Sequence, residues 1–363
     1  MKSKFYFGFL AMAAIAATGC SSEVENAADL KGNAIEFGTY VGRDANSRAT
    51  VLDLDGLKAS GFGVFAYYTA QADYADGATA NFMNNQEVKY VGTDWTYSPL
   101  KYWPNNPGDK VTFFAYAPYN VAGAVLTPDA GTITFTVADA VADQKDLTVS
   151  DASATKNLTK QAVTGKVNFN FKHVLARVGL NVEAMVDLVN GDGTGDADTD
   201  QPNGTLDDKT TIKVTKVELI GKFDNQAIIN LGTSAWSDVA PAATDVIYTW
   251  EAANFVTSVA DNVTTTKQQL NNANNYAMLI PQEVTGMTVK ITYDVITTDE
   301  NLTGGESKIT NVITSAPFNF NFEQGKAYMF NLHLGMTSVK FSASVADWET
   351  GSEIVVNLPI NNN

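Results

Sequence analysis

Short runs in which apolar and polar residues alternate recur along the whole chain. Val111–Ala117, Thr132–Val137, Lys213–Ile220 and Thr288–Val295 combine β-branched and aromatic residues with a period of two, the pattern of strands that bury one face. Val167–Leu180 continues the pattern and predicts one long strand. Between the runs stand Pro104–Asp109, Asp129–Gly131 and Thr303–Gly305, where Gly and Asn tolerate positive φ and Pro presets the first turn dihedral. No amphipathic helical stretch of comparable length interrupts them. Many short strands separated by turns predict an all-β chain of antiparallel sandwiches.

The first 20 residues break the pattern. Lys2 and Lys4 precede a 13-residue apolar run, Phe5–Ala17, and Ala17-Thr18-Gly19 leads into Cys20, the only cysteine among 363 residues. The run is too short for a hydrocarbon core, which needs ~20 residues, and its flanks are those of an export signal. Small side chains before a cysteine let a lipid-transfer enzyme reach the sulfur. Residues 1–19 therefore predict a lipoprotein signal peptide, with Cys20 as the lipidated start of the mature chain and 20–33 as a flexible linker. Ser21–Glu25 adds acidic residues that resemble the outer-surface export tag of Bacteroidetes-type lipoproteins. Each buried methylene contributes ~0.8 kcal/mol, so several acyl chains on one cysteine hold a protein stably at the outer membrane. No cofactor beyond this covalent lipid is expected. A lone cysteine forms no internal disulfide, so stability must come from apolar cores.

Charge narrows the partners. Without Lys2 and Lys4 the 24 basic residues fall to 22 against 40 acidic ones, a net charge of about −18 for the mature chain. Such a surface repels phosphate backbones and anionic headgroups, which argues against nucleic acid and leaves membrane attachment to the lipid. Catalytic chemistry finds little support. His173 and His333 are far apart in sequence, each within an apolar strand pattern, and neither has a partner constellation marked in the sequence. No Gly-x-Ser-x-Gly phrase marks a nucleophile. An enzyme is not expected.

Asn190–Gln201 is an acidic loop with oxygen-bearing side chains at Asn190, Asp192, Thr194, Asp196, Asp198 and Asp200, and Gly195 at the sixth place of a calcium-loop pattern. Gln201 stands where a bidentate Glu belongs, and no helices flank it. A solvated acidic hairpin insertion is the favoured reading, with Ca²⁺ binding as the alternative. Phe62, Trp103, Phe113 and Tyr116 lie at strand positions and are expected in the core. An exposed carbohydrate-binding platform is the alternative for them.

The polar segment Lys156–Thr164, followed by the restart of strand pattern at Val167, places a seam near Gly165. This predicts one β-sandwich over 34–165 and a second over 166–363. Ala34–Val41 alternates Ile35, Phe37 and Thr39 against Glu36, Gly38 and Tyr40, and Arg43 and Arg48 follow it. The tail, Ser352–Ile360, is β-prone, and Pro359 suits an edge or terminal strand because it cannot donate to a ladder.

A set of phrases through most of the mature chain resembles the fimbrillin family of Bacteroidetes pilus lipoproteins. They are Ile35–Tyr40, Ser47-Arg48-Ala49, Gly61–Tyr67, Lys101–Pro104, Phe113–Tyr119, Gln144–Leu147, Phe171–Arg177, Leu279–Gln282, Phe322–Tyr328 and Val345–Trp348. The resemblance implies two transthyretin-like sandwiches in series, a lipoprotein precursor and assembly by strand exchange with other pilus subunits or with further copies of the chain. On that reading, an arginine-specific protease cutting after Arg43 or Arg48 frees the first strand and opens an apolar groove for a donor strand. The tail is either that donor or the last strand of its own sandwich. The expected function is a structural or adhesive pilus subunit with a ligand on a host or bacterial surface. The alternatives are a tip or anchor subunit that does not polymerise, and a surface glycan-binding lipoprotein.

Overall fold

The alternating runs do form strands, because branched and aromatic side chains fit a pleated, half-buried surface. The computed structural model describes residues 33–41, 52–185, 209–335, 339–348 and 353–357. Along the chain come β1 (Phe37–Val41), β2 (Phe62–Ala70), β3 (Met83–Val91), β4 (Asp94–Thr96), β5 (Lys110–Ala117), β6 (Ala124–Thr127), β7 (Thr132–Thr136), β8 (Thr148–Ser150) and β9 (Val167–His173). Then follow β10 (Ala176–Ala184), β11 (Thr210–Gly221), β12 (Gln226–Asn230), β13 (Ala235–Ser237), β14 (Val246–Glu251), β15 (Gln268–Gln269) and β16 (Ala277–Leu279). The last are β17 (Gln282–Thr298), β18 (Glu306–Thr314), β19 (Phe318–Phe322), β20 (Lys326–Leu334), β21 (Val339–Asp347) and β22 (Glu353–Asn357).

One sheet runs in the order β1-β9-β8-β5-β2-β3-β4, and a second in the order β13-β12-β7-β6. Phe65, Tyr67, Phe114 and Tyr116 of the first share a buried cluster with Ile133, Phe135, Ala227 and Ile229 of the second. The opposite face of the first sheet carries another cluster, built from Phe37, Phe62, Val64, Phe113, Phe169 and Phe171 among others. β2 and β5 thus bury side chains on both faces. Gly63 is required between them, since a Cβ there would come within 2.3 Å of the Tyr116 ring. A third cluster lies between β10, β20 and β21 on one side and β11, β14, β17 and β19 on the other. Burying each large side chain contributes about 1.5–3 kcal/mol, so these clusters supply the cohesion expected of a chain without disulfides.

Strand pairing does not follow a cut at Gly165. β9, just beyond it, lies between β1 and β8, and β12 pairs with β7, so chain from both sides of that glycine shares the first two sheets. The long strand predicted over Val167–Leu180 is two strands, β9 and β10, which enter different sheets. Periodicity hides the break because Val174 and Leu175, between them, are themselves fully buried. Val174 N–H donates to Leu147 O, and Trp236 Nε1–H donates to Val174 O.

The tail enters the structure as β22, antiparallel to β21 with Val345 opposite Ile354. It closes the edge of the sheet β15-β10-β20-β21-β22, in which β16 also pairs with β10. Cys20, Arg43, Arg48 and the whole acidic loop from Asn190 to Gln201 lie outside the described residues.

Candidate functional site

Among the described residues β1 is the edge strand of its sheet and has one hydrogen-bonded neighbour there, β9, to which it runs parallel with Phe37 opposite Val167 and Val41 opposite Phe171. The alternation read from the sequence is realised. Ile35 and Phe37 are fully buried, Val41 is 6% exposed, Thr39 is half-buried, and Tyr40 is 57% exposed on the outer face. Phe37 fills an aromatic socket, with ring centroids at 5.1 Å from Tyr97, 5.4 Å from Phe169, 6.0 Å from Phe113 and 6.4 Å from Phe62. These are the separations at which aromatic pairs add to simple area burial.

The backbone is held more lightly at its start. Ile35 N–H donates to Lys101 O at 2.9 Å, and Trp103 N–H to Asn33 O at 3.0 Å. Tyr97 O–H donates to Ile35 O at 2.8 Å, and Lys101 N–H donates to the same hydroxyl. A cleft of about 700 Å³ opens beside this segment, lined by Ile35, Glu36, Trp95, Tyr97, Leu100 and Tyr102 among others. The side chains of β1 thus fill a groove whose walls belong to β2, β5 and β9, while among the described residues one neighbouring strand and a few bonds hold its backbone.

Tyr97 gives this site a pH response. Burial pushes its phenol up to about 12. An unfolded tyrosine titrates near 10, so its contribution is whole below about pH 10 and is lost as pH rises toward 12. Tyr116 and Tyr293, also raised to about 12 by burial, share the effect. Tyr97→Phe is expected to make the alkaline fall in unfolding free energy shallower by up to one proton, measured by denaturant melts between pH 9 and about 12. An unchanged slope contradicts the assignment.

The four aromatic residues weighed as a carbohydrate platform are core. Phe62, Phe113 and Tyr116 are fully buried and Trp103 is 5% exposed, so none presents a ring to solvent.

Both histidines have partners, brought from strands distant in sequence. His173 Nδ1 lies 2.8 Å from Asp146 Oδ2, and its ring stacks on Trp348 at 4.3 Å with the planes 4° apart. The Arg177 guanidinium lies over two rings of this cluster, 5.1 Å from that of Trp348 and 4.9 Å from that of Tyr276. Gln144 Oε1 accepts from Met278 N–H at 2.6 Å. Leu175 O accepts from Gly325 N–H, and Gly325 O from Trp348 N–H. The phrases Gln144–Leu147, Phe171–Arg177, Phe322–Tyr328 and Val345–Trp348, scattered in sequence, thus meet in one buried knot where β9 passes to β10.

His333 Nδ1 lies 2.5 Å from Glu183 Oε1, and its Nε2 lies 3.1 Å from Ser342 Oγ. A carboxylate only accepts, so Nδ1 donates to it, and in the neutral ring Nε2 is then the acceptor for the serine hydroxyl, the donor order of a nucleophile relay. Ser342 is only 7% exposed, however, and its Oγ also accepts from Asn331 Nδ2, which in turn accepts through Oδ1 from Asn181. The group is a polar ladder across β10, β20 and β21, with the serine turned into the protein. The sequence hid both partnerships because the carboxylates arrive from other strands, 27 and 150 residues away. Among the described residues no three His, Cys, Asp or Glu side chains are grouped to hold a metal ion.

The architecture has known counterparts. A fimbrial protein from Bacteroides vulgatus, solved by crystallography, superposes with a TM-score of 0.64 at 23% identity, covering 87% of this chain and 99% of that one, and shares the fold. The fimbrium subunit Fim1C of Phocaeicola vulgatus is 27% identical over 395 aligned positions, which take in 96% of this chain and 98% of that protein. The profile of the fimbrillin-like family matches residues 47–348. That match spans well over half of the sequence, so the chain belongs to the fimbrillin-like family.

Proposed function

We propose that this protein is a structural subunit of a cell-surface pilus, exported as a lipoprotein through Cys20 and joined to its neighbours by strand exchange at the groove now filled by β1. The observation that carries the reading is β1 itself. Among the described residues it is an edge strand with buried Ile35, Phe37 and Val41, and Arg43 and Arg48 follow it in the sequence. Cutting after either arginine leaves β1 attached by pairing and packing alone. A donor strand that replaces its apolar side chains, each worth about 1.5–3 kcal/mol, makes a durable joint. Family membership favours a role in assembly over catalysis, and the partners are other pilus subunits or further copies of this chain.

A second reading has one observation behind it. β22 pairs with β21 of its own sheet, so the tail is already engaged. A tip or anchor subunit would keep it there, whereas a shaft subunit would release it as the donor.

Two measurements on cells test the proposal. Material sheared from the surface and run without heating should contain the chain in a ladder of high-mass species, and finding it only at monomer mass contradicts the pilus reading. Cys20→Ala should lose essentially all membrane retention with the melting temperature of the folded body unchanged, since the chain has no second cysteine with which that thiol could form a disulfide. A variant still in the membrane fraction would end the lipoprotein assignment.

A further inference from the structure

We propose that Asp146 is a positioning residue that sets where the removable first strand ends and the retained body begins. The inference rests on the reading above, in which β1 leaves the fold.

Leu52 N–H donates to Asp146 Oδ2 at 3.0 Å, and His173 Nδ1 approaches the same oxygen at 2.8 Å. Asp146 and His173 are 3% and 4% exposed, and Asp146 Oδ1 has no hydrogen-bond partner among the described residues. The donors that offset the burial of this carboxylate therefore converge on one oxygen, and one of them is the backbone of Leu52. Losing either donor leaves a buried carboxylate short of partners, which is far less favourable than exposing a paired one.

The chain on the two sides of Leu52 is held differently. Immediately after it, Asp53 Oδ1 accepts from Gly56 N–H at 2.7 Å and caps the helix Leu54–Ser60, whose Leu57 is fully buried. These hydrogen bonds do not involve β1, although Leu52 and Leu57 share a buried cluster with Phe37 and Val41, so the helix cap and the Asp146 bond are what hold this segment when β1 leaves. Before it, β1 depends on β9 and on its ring socket. His173 ends β9 two residues beyond Phe171, the last partner of β1, and its ring is fixed against Trp348. Asp146 thus ties Leu52 to the end of the strand that loses β1, and through His173 to the buried knot. With this tie, departure of β1 opens one edge of β9 without loosening the helix that follows, and the groove is presented on a fixed frame.

Hydrogen exchange, read on the full chain before and after digestion with an arginine-specific protease, tests this. In the digested wild type the retained fragment should begin after Arg43 or Arg48 and keep its slow exchange over 52–57. Asp146→Ala should speed exchange there about tenfold while leaving Val111–Ala117 unchanged. Asp146→Asn, which keeps the shape, serves if the alanine variant does not fold. Exchange over 52–57 that becomes fast in the wild type as soon as β1 is released overturns the proposal. Should β1 stay bound after cutting, the strand-exchange reading fails. The clamp is then decided on the intact chain, where faster exchange in the Asp146 variant supports it and equal rates refute it.

Discussion

Phe37→Ala is expected to lower the unfolding free energy by about 3–5 kcal/mol, the range for removing a buried phenylalanine ring. Phe37 is fully buried and its four ring neighbours belong to β2, β5, β9 and the turn that carries Tyr97, so collapse around the vacancy would have to move several elements at once. Among the described residues β1 has a single sheet neighbour, and this ring is the largest side chain it buries. The loss should therefore appear first as rapid amide exchange in Phe37–Val41, ahead of global unfolding. Tyr40→Ala on the exposed face is the control and should stay within about 0.5 kcal/mol of wild type. A loss below about 1 kcal/mol for Phe37→Ala would mean that β1 does not fill the groove.

Trp348→Ala should be as severe, about 3–5 kcal/mol, with a different distribution. Trp348 is 1% exposed, stacks on His173 and lies 5.1 Å from the Arg177 guanidinium, at the place where β9, β10 and the turn before β20 meet. Its removal strips the stacking from His173 and Arg177 together and loosens the passage from β9 to β10. Both sides of the chain should then lose protection, whereas Phe37→Ala acts on one edge. A melt in which Trp348→Ala leaves the cluster of Phe330, Leu332 and Phe341 unaffected would show that the knot does not couple the two regions.

Much of this fold was legible in the sequence, because period-two alternation has one physical cause and strands such as β7 and β9 obey it, whereas β5 is buried on both faces. The inward set Ile35 and Phe37 was read correctly for the same reason. What escaped is long-range. Nothing local distinguishes β9 from β10, since Val174 and Leu175 are as apolar as the strands they separate, and the change of sheet is visible only in the pairings. The contribution of β12 and β13 to the second sheet is likewise a matter of register with β7, about 90 residues away in sequence. At the site, nothing local marks Tyr97, because its bond to Ile35 O depends on where the turn folds. Asp146 stood inside the Gln144–Leu147 phrase, yet its roles toward His173 and Leu52 follow from burial, which one sequence does not report.

The central claim, that β1 is a removable insert whose loss makes the subunit assemble, is tested most directly by the mass of the purified chain in solution before and after arginine-specific digestion. The account predicts a monomer that releases the segment up to Arg43 or Arg48 and then forms oligomers stable on dilution. Arg43→Ala combined with Arg48→Ala should remain monomeric, and a chain ending before Glu353 should stop at a truncated monomer if the tail is the donor. Digestion of the full chain to a stable, truncated monomer with an empty groove would contradict the account.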